Sequence, residues 1–154
     1  RSGLGDYVGT GLPGEVTGLF SNVGMQSRVS RTAMAYGYGF TVTPLQLASA
    51  YVALAGHGSR LPLSILKQDR VPEPQQVFDA EDAREVIAMM ERVTQQGGTA
   101  TNADIDDYRV AGKTGTARVL ENGRYNDERH VAWFAGLAPV SDPRIVMVVL
   151  VNEP

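Results

Sequence analysis

One lysine, two threonines and an unsubstituted glycine stand together at Lys113-Thr114-Gly115-Thr116, with Arg118 two residues further on. An ammonium group attracts an anion as a point charge, and hydroxyls donate directed hydrogen bonds to it, so the set suits a carboxylate. The run is too glycine-broken for a helix, because Gly112 and Gly115 would each cost a helix interior about 1 kcal/mol relative to alanine. Val110, Val119 and Leu120 around it favour a strand. On a strand, side chains alternate between faces. Thr114, Thr116 and Arg118 then share one face, while Lys113 and Gly115 share the other. The bare Gly115 leaves room for a second backbone to approach the strand.

Other residues invite chemistry and do not sustain it. Ser64-Ile65-Leu66-Lys67 has the spacing that would let a lysine take a serine's proton on a helix. Pro62 precedes most of it, Pro72 and Pro74 follow, and Leu61, Leu63 and Ile65 alternate, so residues 61–71 read as extended and Ser64 is not the expected nucleophile. Gly112-Lys113-Thr114 resembles the end of a phosphate loop. That loop needs a glycine where Asp107 stands and a helix where Gly115 and Val119 follow. Gly9, Gly11 and Gly14 match a dinucleotide fingerprint in spacing, but Pro13 disfavours the helix that should follow, which leaves a turn-rich loop. Asp104, Asp106 and Asp107 lack the glycine and the glutamate that complete a calcium loop, so a solvated acidic turn is expected and no metal site. His130, one of two histidines, reads as a pocket-rim or surface side chain.

The elements that must position Lys113 to Thr116 are legible around it. Thr43-Pro44-Leu45-Gln46 combines a capping threonine, a proline at the first helical position and a glutamine that closes a capping box. Leu45, Ala48, Tyr51, Val52 and Ala55 recur at helical spacing up to Gly56 and Gly58. Asp79 caps a second helix reaching Gln96, with Glu81 and Asp82 in its first turn and an apolar stripe of Ala83, Val86, Ile87, Met90 and Val93. Met89 and Met90 are expected to fill the core, and Gly97-Gly98 to end the helix. Asn122-Gly123 predicts a hairpin tip after the central strand. Residues 131–136 and 144–151 predict two further strands joined by Ser141-Asp142-Pro143, with Trp133 and Phe134 in the core. The last run is continuously apolar, as for a strand buried on both faces. Residues 1–34 read as loops with one short ordered segment, and residues 21–31 as polar and mobile. Tyr36 and Tyr38 are expected to pack or line the base of the domain.

The chain has 154 residues, 43% of them hydrophobic, and a net charge of -3, which suffices for one core. An isoelectric point near 5.3 without a basic block argues against nucleic acid as a partner. The lack of cysteine removes disulfides, thiolate catalysis and cysteine-based zinc sites. The longest apolar run, Ile145 to Val151, is far shorter than the ~20 residues of a membrane span.

Four stretches, in order, resemble class B penicillin-binding proteins of the type that builds the division septum of Gram-negative bacteria. They are residues 35–48 (Ala-Tyr-Gly-Tyr-Gly-Phe-Thr-Val-Thr-Pro-Leu-Gln-Leu-Ala), Gly97-Gly98-Thr99-Ala100, Tyr108 to Arg118, and Phe134 to Pro139. Lys-Thr-Gly on a strand is the third motif of that family. The resemblance implies an α+β fold of the penicillin-binding transpeptidase and serine β-lactamase type, an antiparallel sheet flanked by helices. Residues 1–154 would be the C-terminal portion of the transpeptidase domain, with export signal and membrane anchor upstream, at the periplasmic face of the inner membrane.

It implies a reaction too: a serine attacks the D-Ala-D-Ala carbonyl of a stem peptide and passes the acyl group to an amine, and β-lactams block that serine. Lys113 would hold the serine of a Ser-x-Asn motif and favour the substrate carboxylate, which the Thr114 and Thr116 hydroxyls bind. The backbone N–H of Thr116 would be an oxyanion donor, and the strand carrying Gly115 would pair with the extended substrate. Arg118 either assists at the carboxylate or is plain surface charge. His130 stands where close relatives carry a pocket tyrosine. The chain contains no Ser-x-Asn and no credible Ser-x-x-Lys, so nucleophile and general base are expected from the remainder of the domain. No cofactor is implied; division-complex membrane proteins are implied as partners. A β-lactam sensor or a β-lactamase on the same fold, and a purely structural division subunit, remain open alternatives.

Overall fold

The computed structural model describes residues 2–20, 27–121 and 124–154. In chain order these form β1 (Leu19–Phe20), α1 (Arg28–Ala35), β2 (Phe40–Thr41), α2 (Pro44–Ala55), β3 (Ser59–Arg60), β4 (Gln75–Gln76), α3 (Ala80–Glu91), β5 (Ala111–Glu121), β6 (Arg124–Ala138) and β7 (Ile145–Asn152). The last three build an antiparallel sheet in the order β5-β6-β7, and the small strands pair as β1 with β2 and β3 with β4. The fold is therefore an antiparallel sheet with helices packed on it, as expected. The Asn122-Gly123 tip lies outside the described residues, though Glu121 and Arg124 on either side are register partners.

Local signals determine α2 and the start of α3. Thr43 Oγ1 accepts from the Gln46 amide while Gln46 Oε1 accepts from the Thr43 amide, and Pro44 opens the helix. The Gln46 side chain does more than close that box. It is 1% exposed, and its Nε2 donates to the carbonyls of Asp6 and Thr17, both at 2.8 Å, fastening the N-terminal loop to α2. Gln46, Ser49 and Ala53 form the most buried face of the helix, whereas Leu45, Ala48, Tyr51, Val52 and Ala55 are half-buried. The apolar stripe is thus not the deepest face, because the N-terminal loop covers the polar side of α2. Asp79 caps α3 by accepting from the Glu81 amide at 2.8 Å. The helix stops at Glu91, five residues before the Gln96 expected from sequence, and turns carry the chain to Gly98.

The core gathers Ile87 and Met90 of α3 with Ala111 and Leu137 of the sheet, and Tyr51, Leu54, Ala55 and Val86 pack against it. Several expectations need correcting here. Met89 is 62% exposed, since it lies on the side of α3 turned away from the sheet. Trp133 and Phe134 are half-buried rather than core. β7 is an edge strand, paired only with β6 among the described residues, and Ile145, Met147, Val149 and Val151 on one of its faces are exposed. α2 and α3 cover only the opposite sheet face, so a continuously apolar strand is here covered on one side.

Residues 61–71 form no ladder and no helix, and β3 and β4 close the loop at its base. Within it the Ser64 hydroxyl donates to the Leu66 carbonyl at 2.8 Å and accepts from the Leu66 amide at 3.1 Å. The hydroxyl is spent on its own turn. The short ordered segment expected within residues 1–34 is matched by α1, whose helical type the apolar pattern does not announce because it has no buried residue; Ser27 caps it through the Ser30 amide. Arg28–Arg31 are thus helical rather than part of a loop, and residues 21–26 lie outside the described residues. Residues 8–15 wrap around one carboxylate. Glu15 accepts from the amides of Val8, Gly9 and Thr10 and from the Thr10 hydroxyl. The hydrogen bond from the Gly9 amide is the foremost cause that lowers its pKa below the usual carboxylate value.

Candidate active site

β5 carries Lys113 to Thr116 in extended conformation on the outer edge of the sheet. Among the described residues no strand pairs with that edge. The register against β6 sets Lys113 opposite Ala135, Thr114 opposite Phe134, Thr116 opposite Ala132 and Arg118 opposite His130. Strand alternation then groups Thr114, Thr116 and Arg118 on one face and Lys113 with Gly115 on the other. Lys113, Gly115, Thr116 and Arg118 are exposed, and Thr114 and His130 are half-buried.

The entry of β5 is held by three polar links, two to the end of α3 and the turn after it and one to the segment that follows β6. Arg109 grips Glu91 through both guanidinium arms, Nε to Oε1 at 2.5 Å and Nη2 to Oε2 at 2.7 Å. Thr94, 2% exposed, donates from Oγ1 to the Val110 carbonyl at 2.8 Å. The Val140 amide donates to the Arg109 carbonyl at 2.9 Å. The Arg109 hydrogen bonds hold the Glu91 carboxyl below its ordinary pKa and raise that of Arg109. Bidentate Arg–carboxylate pairs add geometric definition as well as energy. They place Ala111, and hence Lys113 two residues on, at a defined height against the helix.

A cleft of about 950 Å³ opens beside the far half of this strand. Thr116, Ala117 and Arg118 of β5 and His130 of β6 form one wall; Tyr36-Gly37-Tyr38-Gly39 and β2 form the other. Sequence reasoning placed Tyr36 and Tyr38 at the base of the domain. They are instead 78% and 59% exposed and face the strand across this cleft. The available signal was their place in a Tyr-Gly-Tyr-Gly turn, where glycines in the left-handed region at φ +88° and +81° hold a tight loop and push both rings outward.

The structure thus brings Thr116, Arg118 and His130 to one wall and leaves Lys113, Thr114 and Gly115 just along the same strand, outside the cleft's lining. Lys113 Nζ donates to the Thr114 carbonyl at 2.6 Å. Arg118 pairs with Asp127 at 2.6 Å, with both side chains largely exposed. Thr114 Oγ1 lies 3.0 Å from Thr99 Oγ1. A Cβ added at Gly115 would meet only Trp133 Cβ at 3.7 Å, so the packing of this chain does not demand glycine there. The arrangement offers cations, hydroxyls and an unpaired backbone edge to an extended anionic ligand. Among the described residues no group of three or more His, Cys, Asp or Glu could hold a metal ion.

Comparison with known proteins agrees with this fold. A family model described as the penicillin binding protein transpeptidase domain matches residues 1–154. The probable peptidoglycan D,D-transpeptidase PenA of Neisseria gonorrhoeae is 43% identical over 152 residues, covering 99% of this chain and 26% of the relative. The chain therefore spans about a quarter of the length of that curated relative. The apo transpeptidase domain of Burkholderia pseudomallei penicillin-binding protein 3 superposes with a TM-score of 0.93 at 39% identity, over 99% of this chain and 47% of that one. Penicillin-binding protein 3 of Mycobacterium tuberculosis complexed with aztreonam superposes with a TM-score of 0.90 at 32% identity, over 99% and 38% of the two chains.

Proposed function

The chain belongs to the penicillin binding protein transpeptidase family, and we propose from that premise that it supplies the anion-binding strand of a peptidoglycan D,D-transpeptidase. The observation that carries this reading is Lys113-Thr114-Gly115-Thr116, exposed but for the half-buried Thr114, on a strand edge that no strand pairs with among the described residues, beside a cleft walled by Thr116, Arg118, His130 and the Tyr36–Gly39 turn. A stem peptide ending in D-Ala-D-Ala would lie along the edge of β5 as an added strand. Its terminal carboxylate would meet the Thr114 and Thr116 hydroxyls and the Lys113 ammonium, with Arg118 at the far end. The Thr116 backbone N–H would serve as one oxyanion donor, a group whose loss typically costs ~10²–10³ in turnover. Tyr36 and Tyr38 would supply aromatic surface on the opposite wall of the cleft.

The serine nucleophile and the general base would come from the remainder of the transpeptidase domain, as no Ser-x-Asn occurs in this sequence. β-Lactams would occupy the same place as the stem peptide; that a similar protein is complexed with aztreonam supports β-lactam binding. The whole protein would act at the periplasmic face of the inner membrane, anchored by a segment other than these residues, among division-complex membrane proteins. In the described residues no helix is long and apolar enough to cross a membrane.

Labelled penicillin tests the reading. In the intact protein, Lys113→Ala and Thr116→Ala are each expected to abolish covalent labelling while leaving the melting temperature unchanged. Labelling at the parental rate in both variants would refute it. The isolated 154-residue chain is expected to form no covalent adduct, and the intact acyl-enzyme to release its label slowly, which separates a transpeptidase from a β-lactamase.

A further inference from the structure

We propose that Thr99 is a positioning residue for the anion-binding strand, fixing the direction in which the Thr114 hydroxyl donates. The inference rests on the function proposed above. Thr99 belongs to the loop after α3, fifteen residues before Thr114 in sequence, and the two hydroxyl oxygens are 3.0 Å apart. Each hydroxyl has one proton and two acceptor sites. The bond between them consumes one proton, so the pair presents a single outward O–H. When Thr99 donates, Thr114 keeps its proton for a ligand, and its oxygen is polarised by the bond that it accepts. An anion arriving at β5 selects that direction, because only a donor can face a carboxylate.

The turn that presents Thr99 is tightly determined. Gly97 sits at φ +84°, in the region that favours glycine. A Cβ on Gly98 would lie 2.2 Å from the Val93 carbonyl oxygen and 2.6 Å from that of Arg92, so only glycine fits. The Ala100 amide donates to the Val93 carbonyl at 2.9 Å and the Gly98 amide to the Gln95 carbonyl at 2.8 Å. The same stretch of chain is fastened to β5 by Thr94 Oγ1 on the Val110 carbonyl. Thr99 is therefore held against the strand by its backbone, with its side chain exposed and accessible to ligand. A solvent-exposed neutral hydroxyl pair contributes little to folding, since water replaces either partner readily. Its consequence lies in how Thr114 is presented.

The test uses the intact protein and a labelled penicillin bearing its carboxylate, with the initial complex and the maximal acylation rate resolved by concentration dependence. Losing one neutral hydrogen bond corresponds to about 2- to 10-fold in affinity. Thr99→Val is expected to weaken the initial complex by that factor, with the maximal rate within about twofold of the parent; Thr99→Ser is expected to restore affinity. Parental affinity in Thr99→Val would overturn the proposal. So would equal weakening in Thr99→Ser and Thr99→Val, which would assign the effect to the methyl packing, or a loss confined to the maximal rate. Lys113→Ala is run alongside. If it labels as the parent does, the functional reading fails and this inference fails with it; if Lys113→Ala is dead while Thr99→Val is normal, only the role of Thr99 is refuted.

Discussion

Replacing Gly115 by alanine separates what this strand needs for folding from what it needs for a ligand. The added Cβ would touch only Trp133 Cβ, at an ordinary 3.7 Å, and Gly115 is not among the glycines with positive φ. Nothing in the fold opposes the substitution, and alanine restricts the unfolded chain, so a gain of about 0.5–1 kcal/mol is expected. Gly112, three residues earlier, is the contrasting case. A Cβ there would lie 2.4 Å from Phe134 Cζ, 2.6 Å from Cε2 and 3.1 Å from the Ala135 carbonyl oxygen. The same ring also covers the cross-strand partner Gly136, where a Cβ would come within 2.8 Å of Cε1, so Phe134 lies over both glycines. Overpacking of this kind costs about 1–3 kcal/mol. Denaturant midpoints of the intact protein should therefore rise or hold for Gly115→Ala and fall for Gly112→Ala.

Penicillin labelling should respond to Gly115→Ala in the opposite sense. A methyl group on the unpaired edge of β5 blocks close approach of an extended ligand, and a steric cost of about 1.4 kcal/mol is a tenfold loss of labelling rate. Stability gained and activity lost at one residue is the trade-off expected of a functional glycine. A Gly115→Ala protein that is more stable and labels at the parental rate would show that the glycine serves no ligand, and would remove the strand-addition part of the reading.

Four other outcomes follow from the same structure. Glu91→Ala should cost about 1–2 kcal/mol, the charged hydrogen bonds to Arg109 being discounted for the exposure of the guanidinium, and unfolding midpoints would check it. Because the Glu91 carboxyl is held below its ordinary value of 4.5, its contribution is fully present above that pH and fades as pH falls through the lower folded value; a Glu91→Gln variant should show a correspondingly flatter acid limb. Gln46→Ala strips hydrogen bonds from the carbonyls of Asp6 and Thr17 in a buried setting and should cost about 2–4 kcal/mol, with faster amide exchange across residues 6–18. Asp127→Ala releases Arg118 from an exposed pair and should leave stability within about 1 kcal/mol while altering β-lactam labelling; unchanged labelling would make Arg118 plain surface charge.

What the sequence determined by itself was local. The capping box of Thr43 and Gln46, the Asp79 cap and the extended conformation at Lys113 to Thr116 all follow from residues within four positions of one another, where spacing alone specifies the interaction. The resemblance carried by Lys-Thr-Gly and its neighbours extended that to the family. Tertiary structure decided the rest, because burial and contact depend on which distant segment covers a surface. Gln46 is the most telling example: its Oε1 obeys the local rule, while its Nε2 is committed to carbonyls 29 and 40 residues away that no pattern around α2 announces. Tyr36 and Tyr38 reach the cleft only because β5 and β6 lie opposite their turn. β7 reads as doubly buried from its apolar run, yet α2 and α3 cover one side of the sheet only. Periodicity reports which face of an element is apolar, and only packing in three dimensions determines what, if anything, lies against it.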